Sequence, residues 1–102
     1  MQMQERRLTT MEIGIMDCDD HHYKAIKEIP NKLIGNIETL VVIKYETQIH
    51  ALLATKKPVM ESKIRKLFGY NGIIISTIRK SALNIKKKEM LEDTEVKILI
   101  NI

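Results

Sequence analysis

The apolar residues of this chain occur in short groups, some at the spacing of a helix and others in unbroken β-branched runs. The first group, residues 11–16, follows Thr9 and Thr10, and either threonine can cap a helix by accepting a hydrogen bond from a backbone N–H. Glu12 would lie near the positive end of that helix, where a carboxylate is favoured. The pattern therefore predicts a first helix through residues 11–16.

A second apolar group follows an acidic turn. Residues 21–29 carry apolar side chains at helical spacing, and Asp19 or Asp20 can cap the helix that they predict. Pro30 has no backbone N–H to donate, so it predicts the end of this helix. We therefore expect residues 8–29 to form a helix, a short turn and another helix.

The middle of the chain has a different character. Gly35 and Asn36 form a turn signal. Residues 39–45, TLVVIKY, are mostly β-branched and predict a strand. Residues 48–54 are compatible with a second strand or with a helix, and the spacing of their apolar residues favours the helix. Pro58 is well placed to open a further helix, because the first turn of a helix tolerates a missing N–H.

Residues 59–83 carry the most informative pattern. Their apolar positions at helical spacing are Ile64, Leu67, Phe68, Ile75, Ile78 and Leu83. Gly69 stands between the two groups, where a helix can end with a positive φ. This segment resembles the helix-turn-helix unit of transcription regulators, in which two helices cross at roughly 90–120° with a small residue in the turn. The resemblance predicts a recognition helix over residues 71–82.

One alternative stays open in this segment. Ile73, Ile74 and Ile75 form a β-branched run that is also compatible with a strand, and a strand there would remove the recognition helix. Arg65 stands where the first helix of the family usually has alanine. Its side chain must therefore extend away from the point where the two helices cross.

The residues that follow predict a β-hairpin. Residues 85–90 form a charged, edge-like segment, residues 91–94 can turn, and residues 95–100 form an apolar run typical of a strand. A hairpin directly after a recognition helix is the order of winged-helix domains, and this resemblance spans residues 48–101. The predicted fold class is α+β: a small helical domain of about four or five helices, with a winged helix-turn-helix and a short antiparallel β-sheet that residues 39–45 share with the hairpin.

The resemblance implies a surface that contacts DNA. The residues expected to do so are Asn71, Ser76, Thr77, Arg79, Lys80, Lys86, Lys87 and Lys88. Asn71 and Arg79 would read base edges from the recognition helix, because Asn pairs with adenine and Arg with guanine. The serine and threonine hydroxyls would mostly contact phosphate. The three consecutive lysines would lie on the wing and touch only phosphate.

Residues 8–29 carry a second resemblance. The positions that carry it are Thr9, Thr10, Glu12, His22 and the basic, acidic, apolar triplet at residues 27–29. They are similar to the start of phage regulatory proteins of the Rha and antirepressor type. The turn before His22 is longer and more acidic here than is usual in that family. The resemblance implies a regulator of phage or mobile-element origin that binds DNA or another repressor.

Composition and charge are compatible with such a regulator. With 102 residues the chain suits a single domain, of which we expect residues 1–7 to be flexible. The formal net charge is +4 and the isoelectric point is about 9.2, which favours a polyanionic partner. The sequence contains no secretory signal and no apolar run that could span a membrane, and Cys18 is alone. We therefore expect a cytoplasmic protein without an internal disulfide.

Candidate catalytic and metal-binding chemistry is sparse. Cys18, His21 and His22 lie close to three aspartates in the sequence, but the second pair of ligands that a zinc site needs is missing apart from His50. Neighbouring carboxylates also disfavour the Cys18 thiolate. The sequence has no phosphate-binding glycine loop and no nucleophile motif. We therefore expect no enzymatic activity, no metal and no cofactor.

Two functions from different classes stay open. The first is a DNA-binding transcriptional regulator that binds duplex DNA as a homodimer, because paired half-sites raise the specificity of a small module. The alternative is a protein-binding module, an anti-repressor or inhibitor on a winged-helix scaffold, whose partner is another regulatory protein. A basic surface that joins residues 71–82 to the wing lysines would favour DNA, and an acidic or apolar surface there would favour a protein.

Overall fold

The computed structural model describes residues 5–69 and 72–101, which form three helices and five strands. In chain order these are β1 (Arg7–Ile15), α1 (Asp20–Lys32), β2 (Ile37–Tyr45), β3 (Gln48–Met60), α2 (Glu61–Phe68), β4 (Ile74–Thr77), α3 (Lys80–Glu92) and β5 (Lys97–Asn101). Within the described ranges, each helix is too short or too polar to cross a membrane.

All five strands belong to one sheet, with the order β4-β1-β3-β2-β5 and antiparallel pairing between every pair of neighbours. The first six elements follow the β-α-β-β-α-β order of the split βαβ, or ferredoxin-like, motif. α3 and β5 extend that motif, and β5 pairs with the outer side of β2. The predicted α+β class with an antiparallel sheet is confirmed.

Helices cover the sheet on both faces. α1 and α2 pack on one face over the larger core, where Ile26 and Phe68 belong to the same buried cluster as strand residues such as Leu53. α3 packs on the opposite face, where Leu83 belongs to a second core that includes Leu52. Successive residues of a strand point to opposite faces. Leu52 and Leu53 of β3 are therefore both fully buried, one in each core.

β1 stands where the first helix is predicted. Met11, Ile13 and Ile15 are all buried and alternate along the strand, so they face the core beneath α1 and α2. Glu12, between them, points to the other face of the sheet. The predicted helix over residues 11–16 is wrong because these apolar residues repeat every second position, which is the period of a strand rather than of a helix.

β3 includes residues 48–54, for which the apolar spacing favours a helix. Ile49 and Leu53 face the core beneath α1 and α2, while Leu52 and Ala54 face the core beneath α3. Because both faces of this central strand are buried, apolar residues occupy consecutive positions and the usual alternation disappears. The helix favoured there is wrong, and the strand alternative is the correct one.

β4 contradicts the recognition helix predicted over residues 71–82. Ile74–Thr77 pair antiparallel with β1. Ile73 and Ile75 are buried beneath the α1 and α2 layer, and α3 begins only after the strand has ended. The β-branched isoleucines favour extended backbone, and the sheet gives them a surface to pack on.

α3 stands where residues 85–90 are predicted to be the first strand of a hairpin. Leu83 and Met90 lie two helical turns apart and are both buried against the sheet. Charged residues alone do not distinguish an edge strand from a solvated helix face, which is why that prediction is wrong. The strand predicted over residues 95–100 is confirmed as β5, and it pairs antiparallel with β2 as expected. The expected arrangement of recognition helix and wing is thus not what residues 72–101 form.

The predicted helices around residues 21–29 and after Pro58 are confirmed as α1 and α2. Pro58 itself lies in β3 and α2 begins at Glu61, so the predicted opening of the helix at Pro58 is wrong. Asp19 caps α1: its carboxylate accepts from the backbone N–H of His22 at 3.1 Å, and its own N–H donates to His22 Nδ1 at 3.2 Å. α1 continues beyond Pro30, so its predicted end there is wrong. α2 ends at Gly69 in the left-handed conformation, with φ of 80°, as predicted.

Candidate functional site

A basic groove runs between α1 and α2 on the outer surface of the helix layer, with a volume of about 490 Å³. Four lysines line it: Lys24, Lys32, Lys63 and Lys66. All four side chains are exposed. We call this feature the basic groove. Among the described residues that line it, Ala25 and Leu67 are apolar and Glu28 is the one carboxylate.

Helix periodicity explains why the lysines converge. Lys24 and Lys32 are eight residues apart on α1, and Lys63 and Lys66 are three residues apart on α2. Side chains at such spacings lie on the same side of a helix. The opposite side of each helix carries the apolar residues that pack on the sheet, among them Ile26 and Ile64. Packing therefore fixes which side faces outward, and the lysines are placed along the groove.

One end of the basic groove is fixed by His21. Its Nε2 donates a hydrogen bond to the carbonyl oxygen of Phe68 at 2.9 Å, which joins the first turn of α1 to the last turn of α2. Gly69 makes this approach possible, because a Cβ at that position would lie 2.9 Å from His21 Nε2. The two helices are therefore held with the start of one beside the end of the other.

The electrostatics of the basic groove favour an anion. Four ammonium groups face one carboxylate, and Glu28 lies 3.5 Å from the side-chain amide of Asn31 on the same helix. Exposed lysines are strongly hydrated point charges on flexible stems, which suit phosphate oxygens spaced along a chain. A single small anion would contact only part of this surface.

A second ionisable cluster lies on the opposite face of the sheet. Glu12 of β1 contacts His50 of β3, with 3.1 Å between Oε2 and Nε2, and its other oxygen contacts the ammonium group of Lys86 on α3. The hydrogen bond from Lys86 lowers the pKa of Glu12, and His50 adds to the effect against the opposing influence of burial. The cluster ties α3 to the sheet by charges that neutralise one another.

A cavity of about 540 Å³ lies near this cluster, at the end of the sheet. Tyr45 and Gln48 line one part of it, and the carboxylates of Asp93 and Glu95 line another. The Asp93 carboxylate also accepts a hydrogen bond from the backbone N–H of Glu95 at 3.0 Å. Because its carboxylates repel anions, this cavity does not share the chemistry of the basic groove.

The structure distributes the residues predicted to contact DNA over several elements. Ser76 and Thr77 lie on β4, Arg79 and Lys80 at the start of α3, and Lys86, Lys87 and Lys88 in its middle; Asn71 lies outside the described residues. Consecutive helix residues point about 100° apart, so the three lysines do not form one wing-like row. Lys86 is paired with Glu12 and is held against the sheet.

The lysines of the basic groove are absent from the predicted contacts. Lys24 lies on a helix that was predicted, but Lys32 lies beyond the end predicted at Pro30, so the sequence did not place both lysines on one helix. Lys63 and Lys66 lie on the other correctly predicted helix, but only the packing of α1 against α2 brings the two pairs together.

The sequence cluster around Cys18 does not form a metal site among the residues that the structure describes. His22 is buried and takes part in the cap of α1, while His21 bonds to Phe68. Across the same described ranges, no three His, Cys, Asp or Glu side chains are grouped in a way that could hold a metal ion.

Comparison of the chain with models of known protein families, with curated proteins and with solved structures finds no match.

Proposed function

We propose that this chain is a DNA-binding protein of regulatory rather than catalytic role, and that it contacts the phosphate backbone along the basic groove. The observation that carries the proposal is the convergence of four exposed lysines from two helices on one groove, whose described lining includes one carboxylate, Glu28. The winged helix expected from the sequence does not support it, because β4 lies where the recognition helix is predicted.

Phosphate contact of this kind is largely independent of base sequence. Lysines that neutralise phosphates release counterions, so affinity falls steeply as salt rises. Base edges are read by side chains that enter a groove of the duplex, and the outer surface of the α1–α2 pair presents lysines rather than such a reading element. The proposed binding therefore positions the protein on DNA without by itself selecting an operator.

The sheet is a less suitable nucleic-acid surface than the basic groove. Small α+β domains that bind RNA on a sheet stack bases on exposed aromatic side chains of that sheet. Here α3 covers the corresponding face, and Val41 and Leu52 are fully buried beneath it. Burial of that face therefore favours the opposite side of the molecule.

The test is the affinity of the chain for a labelled DNA duplex of random sequence, measured by fluorescence anisotropy over a range of salt concentrations. The double variant Lys63→Gln/Lys66→Gln should bind more weakly, and the slope of log affinity against log salt should fall by about 0.9 for each phosphate that is no longer neutralised. Lys56→Gln/Lys57→Gln is the matched control, because it removes the same charge from exposed positions on β3.

The control pair should retain most of the wild-type affinity and salt slope. Equal weakening in both pairs would mean that net charge alone drives binding and that the basic groove is not the site. If the wild-type protein binds no duplex at low salt, the DNA proposal is wrong. The protein-binding alternative would then take its place.

A further inference from the structure

β4 is an edge strand of the sheet, paired with β1 on one side only. The backbone N–H of Ile78, just beyond the strand, donates to Thr10 of β1 at 3.2 Å. In an antiparallel pair, every second residue bonds to the partner strand and the residues between point their N–H and C=O groups away from it. The backbone groups of Ile73, Ile75 and Thr77 therefore face the free edge.

Two arginines donate hydrogen bonds to two of the three carbonyl groups that face this edge. Arg6 Nη2 donates to the carbonyl oxygen of Ile75 at 3.2 Å, and Arg65 Nη1 donates to the carbonyl oxygen of Ile73 at 3.1 Å. Arg6 comes from the segment before β1 and Arg65 from α2. Two separate parts of the chain therefore donate to two of the three outward-facing carbonyl groups with which an added strand would pair.

One carboxylate holds both arginines in place. Glu61, the first residue of α2, accepts from Arg6 Nε at 2.5 Å through Oε1 and from Arg65 Nε at 3.1 Å through Oε2. The side chain of Glu61 is only 20% exposed, whereas that of Arg6 is 49% exposed. We call Arg6, Glu61 and Arg65 the edge cap.

We propose that the edge cap keeps the free edge of β4 closed against pairing with β4 of a second copy of this chain. An uncapped strand edge is a template for a further strand. Two copies of one strand can pair antiparallel about a two-fold axis, because each then presents the same pattern of donors and acceptors to the other.

The exposed surface beside the strand shows why a cap is needed there. Ile74 is 61% exposed and is among the most exposed large apolar side chains in the described ranges. An open edge next to an exposed isoleucine would offer both hydrogen bonds and apolar contact to another copy. With the edge cap in place, two copies would instead bring the guanidinium groups of Arg6 and Arg65 against their equivalents, and like charges repel.

The test is the oligomeric state of the full chain by sedimentation velocity over a range of protein concentrations. In Arg6→Ala/Arg65→Ala the average mass should rise with concentration toward twice the wild-type mass. Arg7→Ala/Arg79→Ala is the matched control, because it removes the same charge from two exposed arginines outside the edge cap and should sediment like the wild type.

A third substitution shows whether any association uses β4. Thr77→Pro, added to Arg6→Ala/Arg65→Ala, removes an outward-facing N–H without breaking a bond to β1, and proline is tolerated at such edge positions. This triple variant should return to the wild-type mass. A rise in mass that persists in the triple variant would place the association elsewhere and overturn the proposal.

Glu61→Gln covers the case in which the double arginine variant does not fold. It keeps the shape of the side chain but removes the charge that holds both arginines, so it should give the same rise in mass to a smaller extent. The 13C shifts of the Ile73 and Ile75 carbonyls should also move upfield as their hydrogen bonds weaken. Wild-type mass and unchanged carbonyl shifts in the folded variant would overturn the proposal.

Discussion

At the scale of single residues, Gly69 shows how a backbone requirement and a packing requirement coincide. Its φ of 80° lies in the left-handed region that residues with a Cβ rarely adopt. A Cβ there would also lie 2.9 Å from His21 Nε2, and His21 would have to move away from the Phe68 carbonyl. Gly35 has a similar φ of 76° but no neighbour within 4 Å of its Cβ position. Comparing Gly69 with Gly35 therefore separates the effect of the left-handed backbone from that of the contact with His21.

Gly69→Ala should therefore destabilise the protein more than Gly35→Ala. The left-handed backbone should cost each variant about 1–2 kcal/mol. Gly69→Ala should cost about 1 kcal/mol more, because the His21 hydrogen bond is given up. Urea denaturation of both variants measures the difference, and it should vanish when both are made in a His21→Ala background. Equal destabilisation by the two substitutions while His21 is present would show that its approach to Gly69 does not matter.

Glu12 makes the stability of the folded protein depend on pH. Lys86 and His50 lower its pKa in the folded chain relative to the unfolded chain. A carboxylate with a lowered pKa contributes stability at pH values above its unfolded pKa, and this stability is lost as the pH falls through the folded pKa. Removing Lys86 removes the largest cause of that shift.

Lys86→Gln should raise the pKa of Glu12 toward its ordinary value, because the hydrogen bond from the ammonium group is lost. The 13C chemical shift of the Glu12 carboxyl, followed through an acid titration, measures this directly. Lys88→Gln on the same helix is the control, since Lys88 is exposed, and it should leave the titration nearly unchanged. An equal response to both substitutions would mean that net charge, rather than direct contact, sets the pKa.

At the scale of elements, the pattern of burial decides which predictions succeed. α1 and α2 are amphipathic and were predicted from residues such as Ile26 and Ile64. β2 is a continuous apolar run, and it too was predicted. The helix favoured over residues 48–54 is wrong because Leu52 and Leu53 of β3 are buried on opposite faces, so the apolar residues follow neither the helical nor the strand period. The strand predicted over residues 85–90 is wrong because few residues of α3 are buried, so its apolar residues do not show the helical period.

The same contrast gives a prediction for α3. Leu83 is 4% exposed and Ile85 is 62% exposed, although the two side chains lie only two residues apart. Leu83→Ala should cost about 2–5 kcal/mol of unfolding free energy, as large-to-small changes in a core do. Ile85→Ala should change it by no more than about 0.5 kcal/mol. Chemical denaturation of the two variants measures both values. In a strand, side chains two residues apart lie on the same face, so the two substitutions would then have similar effects.

At the scale of the whole molecule, lysines lie on both sides of the sheet, and four of them line the basic groove between α1 and α2. α3, on the opposite side, also carries lysines, among which Lys86 pairs with Glu12. The sequence indicates the net positive charge but not the basic groove, because the lysines that line it come from two helices far apart along the chain. The homodimer was predicted from half-sites read by a recognition helix. Because β4 replaces that helix, the homodimer stays a prediction that has lost this support.

The order of elements along the chain sets the order in which the molecule can be completed during synthesis. Residues 7–77 already contain the β-α-β-β-α-β motif, so the core beneath α1 and α2 can form before α3 has been made. Until α3 packs, Val41 and Leu52 lie on a sheet face open to water. A chain that stalls after β4 would present that apolar face to other chains. The helix formed by Lys80–Glu92 thus acts as the last covering of a surface that is prone to aggregation while it is bare.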